Sequence, residues 1–112
     1  MLAERRRHAL CYFGALAAFE LAGPRAYSAY AAAADRVAGG AEGDAGSYWR
    51  LHVREDSKHG PAAVVEVAVP LARLCGDASA WEVLLGFDQE NWMSARALSA
   101  ARRDIEACGG LD

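Results

Sequence analysis

Apolar residues recur with helical spacing along this chain, and glycine and proline interrupt the pattern at a few places. The first predicted helix covers about 2–22 and ends at Gly23-Pro24. A second starts near Pro24, which suits the first turn of a helix, and ends at Gly39-Gly40. The segment 39–46 holds four glycines in eight residues and is the clearest loop.

The second half of the chain predicts two more helices. Ser47 is the expected N-cap of the third. A kink is expected at Gly60-Pro61, because proline removes a backbone donor and disfavours a regular helix before it. Pro70 is a second expected interruption. The fourth helix is predicted to begin after Asp77, a candidate N-cap, and to end near Ala107, where Gly109-Gly110 stops it.

The pattern favours an all-α fold. The best run of two-residue alternation, V-V-E-V-A-V at 64–69, is short and lies in a helical context. The chain has 112 residues and 54% hydrophobic content with abundant alanine, which favours packed helices over disorder. Residues 1–112 are therefore predicted to form a single helical domain.

Three side chains share one narrow stripe of the third helix: His52, Asp56 and His59, in L-H-V-R-E-D-S-K-H-G. Each helical residue advances about 100°, so offsets of four and seven align them. Imidazole and carboxylate suit a non-haem iron or a similar divalent metal. A solvated helix face is more often filled with Glu, Lys and Arg. The stripe predicts metal binding, and a structural stripe is the alternative.

A fourth candidate ligand lies upstream. Glu20 is the only charged residue from Ala9 to Gly23. A buried carboxylate is costly unless it is paired, hydrogen-bonded or bound to a metal. Phe13, Leu16 and Ala17 share its helix face, which predicts that Glu20 points inward. The alternative is a surface position at the edge of the helix.

A Glu on one helix, followed about thirty residues later by H-x-x-x-D-x-x-H-G on another, resembles the haem-oxygenase-like diiron oxidases, a family of iron-containing redox enzymes. The resemblance covers roughly 9–74. It implies a helical bundle in which iron, or alternatively manganese, activates dioxygen to oxidise a small organic molecule. It also implies metal ligation by the matching residues, which are Glu20, His52, Asp56 and His59.

The chain departs from the family pattern at its beginning. Family members carry a further Glu and His on an earlier core helix, so this chain resembles the C-terminal half of a haem-oxygenase-like fold and is predicted to be a partial domain. With four candidate ligands, it is expected to bind at most one divalent metal, and weakly. Catalysis then requires the missing helices or a partner chain. Two alternatives remain open: a metal-free helical interaction domain and an inactive fragment.

An incomplete bundle of apolar helices is expected to leave an apolar face uncovered. The predicted partner is a second copy, giving a homodimer, or a separate chain that supplies the N-terminal half. The first helix and the metal-bearing third helix are the expected contact surfaces. A symmetric pairing would also bring metal-ligand faces together.

Composition adds three expectations. Net charge is −3 and Arg5 to Arg7 is the only basic cluster, so no nucleic-acid partner is expected. Cys11, Cys75 and Cys108 lack paired spacing, which is typical of reduced thiols in a cytoplasmic protein. Residues 1–29 have a basic start, an apolar centre and an A-Y-S-A that resembles a signal-peptide cleavage site. A core helix is the favoured interpretation, a secretory one stays open, and no membrane span is expected.

Overall fold

The computed structural model describes residues 1–38, 45–74 and 76–109. In chain order the elements are α1 (Leu2–Val37), α2 (Ser47–Ala62), a π-helical segment (Ala63–Ala68), α3 (Val69–Leu74) and α4 (Asp77–Ala107). No strand occurs among the described residues, which confirms the all-α prediction. The V-V-E-V-A-V run lies in the π-helical segment and the first residue of α3. Within the same ranges, no helix has the length and apolarity needed to cross a bilayer.

The first two predicted helices are one helix, so the predicted break at Gly23-Pro24 was wrong. α1 runs for 36 residues with Pro24 in its interior. Pro24 cannot donate a hydrogen bond to the Glu20 carbonyl, a defect that costs about 3 kcal/mol in an isolated helix. However, α1 packs along its length against both α2 and α4. Tertiary packing therefore outweighs the local helix-breaking signal.

The second helical run also passes its prolines. The chain stays helical from Ser47 to Leu74, so the interruption expected at Pro70 is absent. α2 passes through Gly60 and Pro61 as an α-helix, and the Ala63 N–H still donates to the His59 carbonyl. A π-helical segment with wider turns begins only at Ala63. Such π-turns are frequent beside functional sites.

Glycines, rather than the predicted side-chain caps, precede α2 and α4. Gly46 and Gly76 are the N-caps, and Ser47 and Asp77 are the first helical residues. At α2 the capping oxygen comes from α1: Asp35 accepts hydrogen bonds from the Gly46 N–H at 3.1 Å and from Arg50 at 2.7 Å. A carboxylate there also complements the positive end of the α2 dipole.

α4 ends at Ala107, as predicted, and Gly109 follows in the left-handed region with φ of 96°. The predicted loop residues 39–44, and with them the predicted end of the second helix at Gly39-Gly40, lie outside the described residues. So do Cys75 and Gly110.

Two glycines bring α1 and α4 into backbone contact. A Cβ at Gly14 would overlap the Val83 carbonyl oxygen, and a Cβ at Gly86 would overlap the Cys11 carbonyl oxygen. The small core lies beside this crossing and consists of Leu10, Ala17, Ala68 and Val83. Only glycine at these two positions permits an approach this close.

A polar link flanks the same crossing. Glu82 on α4 pairs with Arg7 at 2.8 Å and accepts a hydrogen bond from the Cys11 thiol at 3.2 Å. Burial raises the pKa of Cys11, and the Glu82 carboxylate raises it further. At Glu82, burial acts to raise the pKa of the carboxyl group, but the hydrogen bonds from Cys11 and Arg7 outweigh it and the pKa is lowered. Cys11 is therefore a neutral thiol at neutral pH.

The molecule is elongated, measuring 52 × 32 × 20 Å. Its radius of gyration is 17.7 Å, whereas a compact domain of this length has about 13 Å. No large side chain among the described residues is completely buried. These helices therefore do not close a full core around themselves.

Candidate metal centre

Three of the four predicted ligands meet where α2 crosses α1. Glu20 on α1 and Asp56 and His59 on α2 each offer one ligand atom, and these atoms all lie within 4.8 Å of one another. His59 Nδ1 is 3.8 Å from Glu20 Oε2 and 3.6 Å from Asp56 Oδ1. The helical stripe on α2 thus faces the inward carboxylate of α1, as the residue spacing suggests.

The two carboxylates of this cluster are withdrawn from water to different degrees, and the side chain of Glu20 keeps 22% of its surface exposed. Asp56 is 7% exposed. Glu20 Oε2 is buried and has no hydrogen-bond partner among the described residues. His59 is the exposed member, with 59% of its side chain accessible. Two neighbouring buried carboxylates repel each other, and one solvated imidazole at more than 3.5 Å compensates this only weakly.

A divalent cation fits this arrangement. Ligand atoms that share one metal at 2.0–2.2 Å lie roughly 2.8–3.6 Å apart when the angle between them is 90–110°. The observed separations require side-chain adjustments of about 1 Å or less. Two carboxylates and an imidazole balance the charge of a dication and suit iron or manganese. A cation bound there would also give Glu20 Oε2 the partner that it lacks among the described residues.

His52 lies one turn before Asp56 on α2, outside the three-residue cluster. Its Nδ1 is 2.9 Å from the Tyr48 carbonyl oxygen, and its ring lies 4.2 Å from that of Tyr48 and 5.6 Å from that of Tyr27, centroid to centroid. A donor bond from Nδ1 to a backbone carbonyl leaves Nε2 with the free lone pair, as in many metal-binding histidines. Ligation by His52 remains a prediction.

Gly60 lies where α2 packs closely on α1. A Cβ at Gly60 would lie 3.0 Å from the Glu20 carbonyl oxygen and 3.1 Å from Leu21 Cα. Gly60 therefore lets α2 pack on the backbone of α1, beside the carbonyl that Pro24 leaves without its helical donor.

We expect Gly60→Ala to separate the halves of the cluster. The added methyl group meets backbone on α1, which cannot rotate away, so α2 must shift outward. Iron affinity should fall on the order of 10-fold, and stability by about 1 kcal/mol. Iron titration and urea unfolding measure the two effects. Lys58→Ala, on the exposed side of α2, is the matched control; equal results for both variants would contradict this role of Gly60.

Comparison with known proteins gives one match. The family model described as iron-containing redox enzyme matches residues 1–89. No curated protein and no solved structure matches significantly. The chain belongs to the iron-containing redox enzyme family. The resemblance predicted from Glu20 and the α2 stripe is confirmed, and iron-dependent redox chemistry is the general function of this family.

Gly23 and Tyr27 border the metal cluster of this member of the iron-containing redox enzyme family, and neither residue was identified as a neighbour of the site from the sequence. A Cβ at Gly23 would lie 2.9 Å from both Asp56 Oδ2 and the Tyr27 ring. Burial raises the pKa of Tyr27, and the negative charge of Asp56 raises it further, so its phenol is neutral at neutral pH. The signal was present in the spacing, because offsets of three and seven place both residues on the Glu20 stripe.

Beyond Tyr27 an aromatic wall borders an open groove between α1, α2 and α4. Trp49 lies 5.4 Å from Tyr27 and 5.1 Å from Tyr30, centroid to centroid. The groove has a volume of about 510 Å³ and a mostly apolar lining. Gly23 and Tyr27 line it and also border Asp56, so the groove lies beside the metal cluster, although no candidate ligand lines it.

Proposed function

We propose that this chain is the iron-holding half of a non-haem, diiron-type oxidoreductase that uses dioxygen to oxidise a small organic molecule. Glu20, Asp56 and His59 are the proposed ligands, with His52 as a fourth. The observation that carries the proposal is the buried Glu20 Oε2, which faces Asp56 and His59 without a hydrogen-bond partner among the described residues. Iron held there supplies one-electron redox chemistry and an open position for oxygen.

The protein groups around the metal have distinct tasks in this proposal. Glu20 and Asp56 would neutralise the dication, and the buried Asp56 carboxylate would fix its position. His59 is exposed and leaves one side of the centre open to solvent and small molecules. The hydrogen bond from His52 Nδ1 to the Tyr48 carbonyl fixes the imidazole tautomer that presents Nε2.

Substrate binding is assigned to the aromatic groove. Tyr27, Tyr30 and Trp49 offer flat apolar surfaces, which favour an apolar or aromatic molecule of modest size. On the opposite wall Asn91 and Ser94 of α4 offer polar groups that can orient it. The neutral Tyr27 phenol lies between the groove and Asp56 and can hold a proton at its oxygen.

A two-iron centre requires more ligands than this cluster provides. Asp56 lies between His52 and His59 along the α2 stripe, so all three residues of this stripe would serve the same centre. The remaining ligands of a second iron would come from another polypeptide segment. We therefore expect the isolated chain to hold one iron.

Anaerobic reconstitution with ferrous iron tests the proposal. We expect about one iron per chain after gel filtration, with quenching of tryptophan fluorescence because Trp49 packs on Tyr27 beside the cluster. No retained iron would favour the metal-free interaction domain. Two tightly held irons per chain would show that a second subunit completes the site.

His52→Ala separates a three-ligand from a four-ligand site. Loss of a fourth ligand should weaken iron binding about 10-fold while leaving the other three in place. Tyr48→Phe is the matched control, because His52 contacts the backbone carbonyl of Tyr48 and the variant keeps the aromatic ring. Unchanged iron affinity in His52→Ala would place His52 in the aromatic wall only. Isothermal titration gives both affinities.

A further inference from the structure

The outer face of α4 carries a repeating pattern that the metal site does not use. Eight positions of α4, separated alternately by three and four residues, lie on one side of the helix. They are Trp81, Leu84, Asp88, Asn91, Ala95, Leu98, Arg102 and Ile105. The buried residues Val83 and Gly86 lie on the opposite side. This α4 outer face (positions 81–105 with that spacing) is therefore turned away from the crossing with α1, and its Asn91 and Leu98 also border the groove between α1, α2 and α4.

The α4 outer face is exposed and partly apolar. Trp81 is 72% exposed, Leu84 57%, and Leu98 60%. Every residue from Asn91 to Ala107 except Ala100 is exposed, so this half of α4 packs little against the rest of the chain. A helix of that length gains most of its stability from packing, so an unpartnered 17-residue end is unfavourable in water.

The amount of exposed surface matches a missing protein partner. The accessible surface is 8272 Å², roughly 2,300 Å² more than the about 6,000 Å² of a compact monomer of this mass. A stable interface buries about 800 Å² or more on each side, and permanent dimers bury more. The excess is large enough to accommodate such an interface.

The charge pattern identifies the occupant. Asp88 and Arg102 lie on the α4 outer face on either side of Ala95, seven residues from it in each direction. In an antiparallel pair of identical helices centred on Ala95, each Asp88 faces Arg102 of the partner subunit. Leu84 then lies one residue, about 1.5 Å along the axis, from the level of Ile105 of the partner subunit. A parallel pair would instead place like charges together, which is destabilising.

We propose that a second copy of this chain docks on the α4 outer face, forming a two-fold antiparallel α4 pair with Ala95 at its centre. The small Ala95 side chains let the helices approach closely, and leucine, isoleucine and tryptophan fill the spaces on either side. The ion pair that Arg102 makes with Glu106 is exposed and contributes little, so it does not hold Arg102 away from the partner. The face is self-complementary in size and charge, as an isologous interface requires.

This interface differs from the expected one on the first and third predicted helices. It involves none of the cluster residues Glu20, Asp56 and His59, but it adjoins the aromatic groove at Asn91 and Leu98. Dimerisation through this face and iron binding can therefore be tested separately, and failure of one does not imply failure of the other.

Charge reversal tests the pairing. The wild-type chain should be a dimer at micromolar concentration by light scattering and sedimentation. Asp88→Arg and Arg102→Asp, each alone, should weaken it at least on the order of 10-fold, since two like-charge contacts replace two ion pairs. The double variant should have a dimer dissociation constant within about threefold of the wild-type value. Met93→Lys, exposed on the other side of α4, is the control.

A stable wild-type monomer would overturn the proposal, and so would a dimer that neither single reversal weakens. Leu98→Glu provides an independent variant, because Leu98 is exposed in the single chain and its replacement should leave helicity unchanged by circular dichroism. It should raise the dissociation constant at least on the order of 100-fold. An unaffected dimer would again contradict docking on this face.

Cross-linking tests the two-fold centre. In a background with Cys75→Ser and Cys108→Ser, Ala95→Cys should form a disulfide-linked dimer rapidly under mild oxidation, since both copies place this residue at the axis. Ala97→Cys, which faces the groove beside α1, should remain unlinked. Linking of Ala97→Cys in preference to Ala95→Cys would overturn the proposed centre.

Discussion

Gly86→Ala should destabilise the fold by about 3 kcal/mol, although the same change in an ordinary exposed helix interior stabilises by about 0.5–1 kcal/mol. The reason is the contact with α1, where the new Cβ would occupy the place of the Cys11 carbonyl. A backbone oxygen cannot move to another rotamer, so α1 and α4 must separate. The small core beside the crossing then opens as well. Urea unfolding followed by circular dichroism measures the loss.

Two further variants sharpen this expectation. Gly14→Ala places its Cβ against the Val83 carbonyl across the same crossing, so it should cost a similar amount. The double variant should cost much less than the sum, because helices already forced apart accommodate the second methyl group. Gln89→Ala, exposed one turn later on α4, is the control. Strict additivity would mean that the two glycines act at independent places.

The sequence predicted the helical class and the C-terminal end of α4 correctly, because periodicity and glycine after a helix end are local signals. It failed at Gly23-Pro24 and Pro70, where long-range contacts decide. Pro24 is tolerated because the parts of α1 before and after it pack against α4 and α2. No spacing rule shows that a helix 40 residues away will place Gly60 on the Glu20 carbonyl.

The candidate site was predictable to a similar degree. Offsets of four and seven identify the α2 stripe, and a lone carboxylate in an apolar run identifies Glu20, since both follow from helix geometry and the cost of buried charge. The pattern could not show that the stripe divides, with Asp56 and His59 against Glu20 and His52 among aromatic rings. That division depends on how far α2 slides along α1.

The cluster also explains why this fold keeps an unfavourable arrangement. Burying Asp56 beside a Glu20 oxygen that lacks a hydrogen-bond partner among the described residues is expected to lower the stability of the metal-free chain. A site selected for packing alone would replace one carboxylate with an amide. Retaining both charges is expected where a cation supplies the missing stabilisation, so stability and function should respond oppositely to the same substitution.

Asp56→Asn should therefore have two effects of opposite sign. Iron affinity should fall at least on the order of 100-fold, because a buried anionic ligand is lost. The metal-free variant should be more stable than the metal-free wild type by about 1–2 kcal/mol, because repulsion from Glu20 disappears. Glu20→Gln should behave in the same way. Iron titration and urea unfolding in chelator measure the two effects.

Glu55→Gln is the matched control for this pair of effects. Glu55 is the carboxylate next to Asp56 on α2, but it points to solvent and pairs with Arg54 and Lys58. Its replacement should change neither iron affinity nor stability measurably, since exposed ion pairs contribute little. If Asp56→Asn lowered the stability of the metal-free chain and left iron binding intact, Asp56 would be a structural residue and the metal would bind elsewhere. If the Asp56 and Glu20 variants each lose iron affinity and gain stability in the metal-free state, and the Glu55 variant changes neither, the iron lies between α1 and α2.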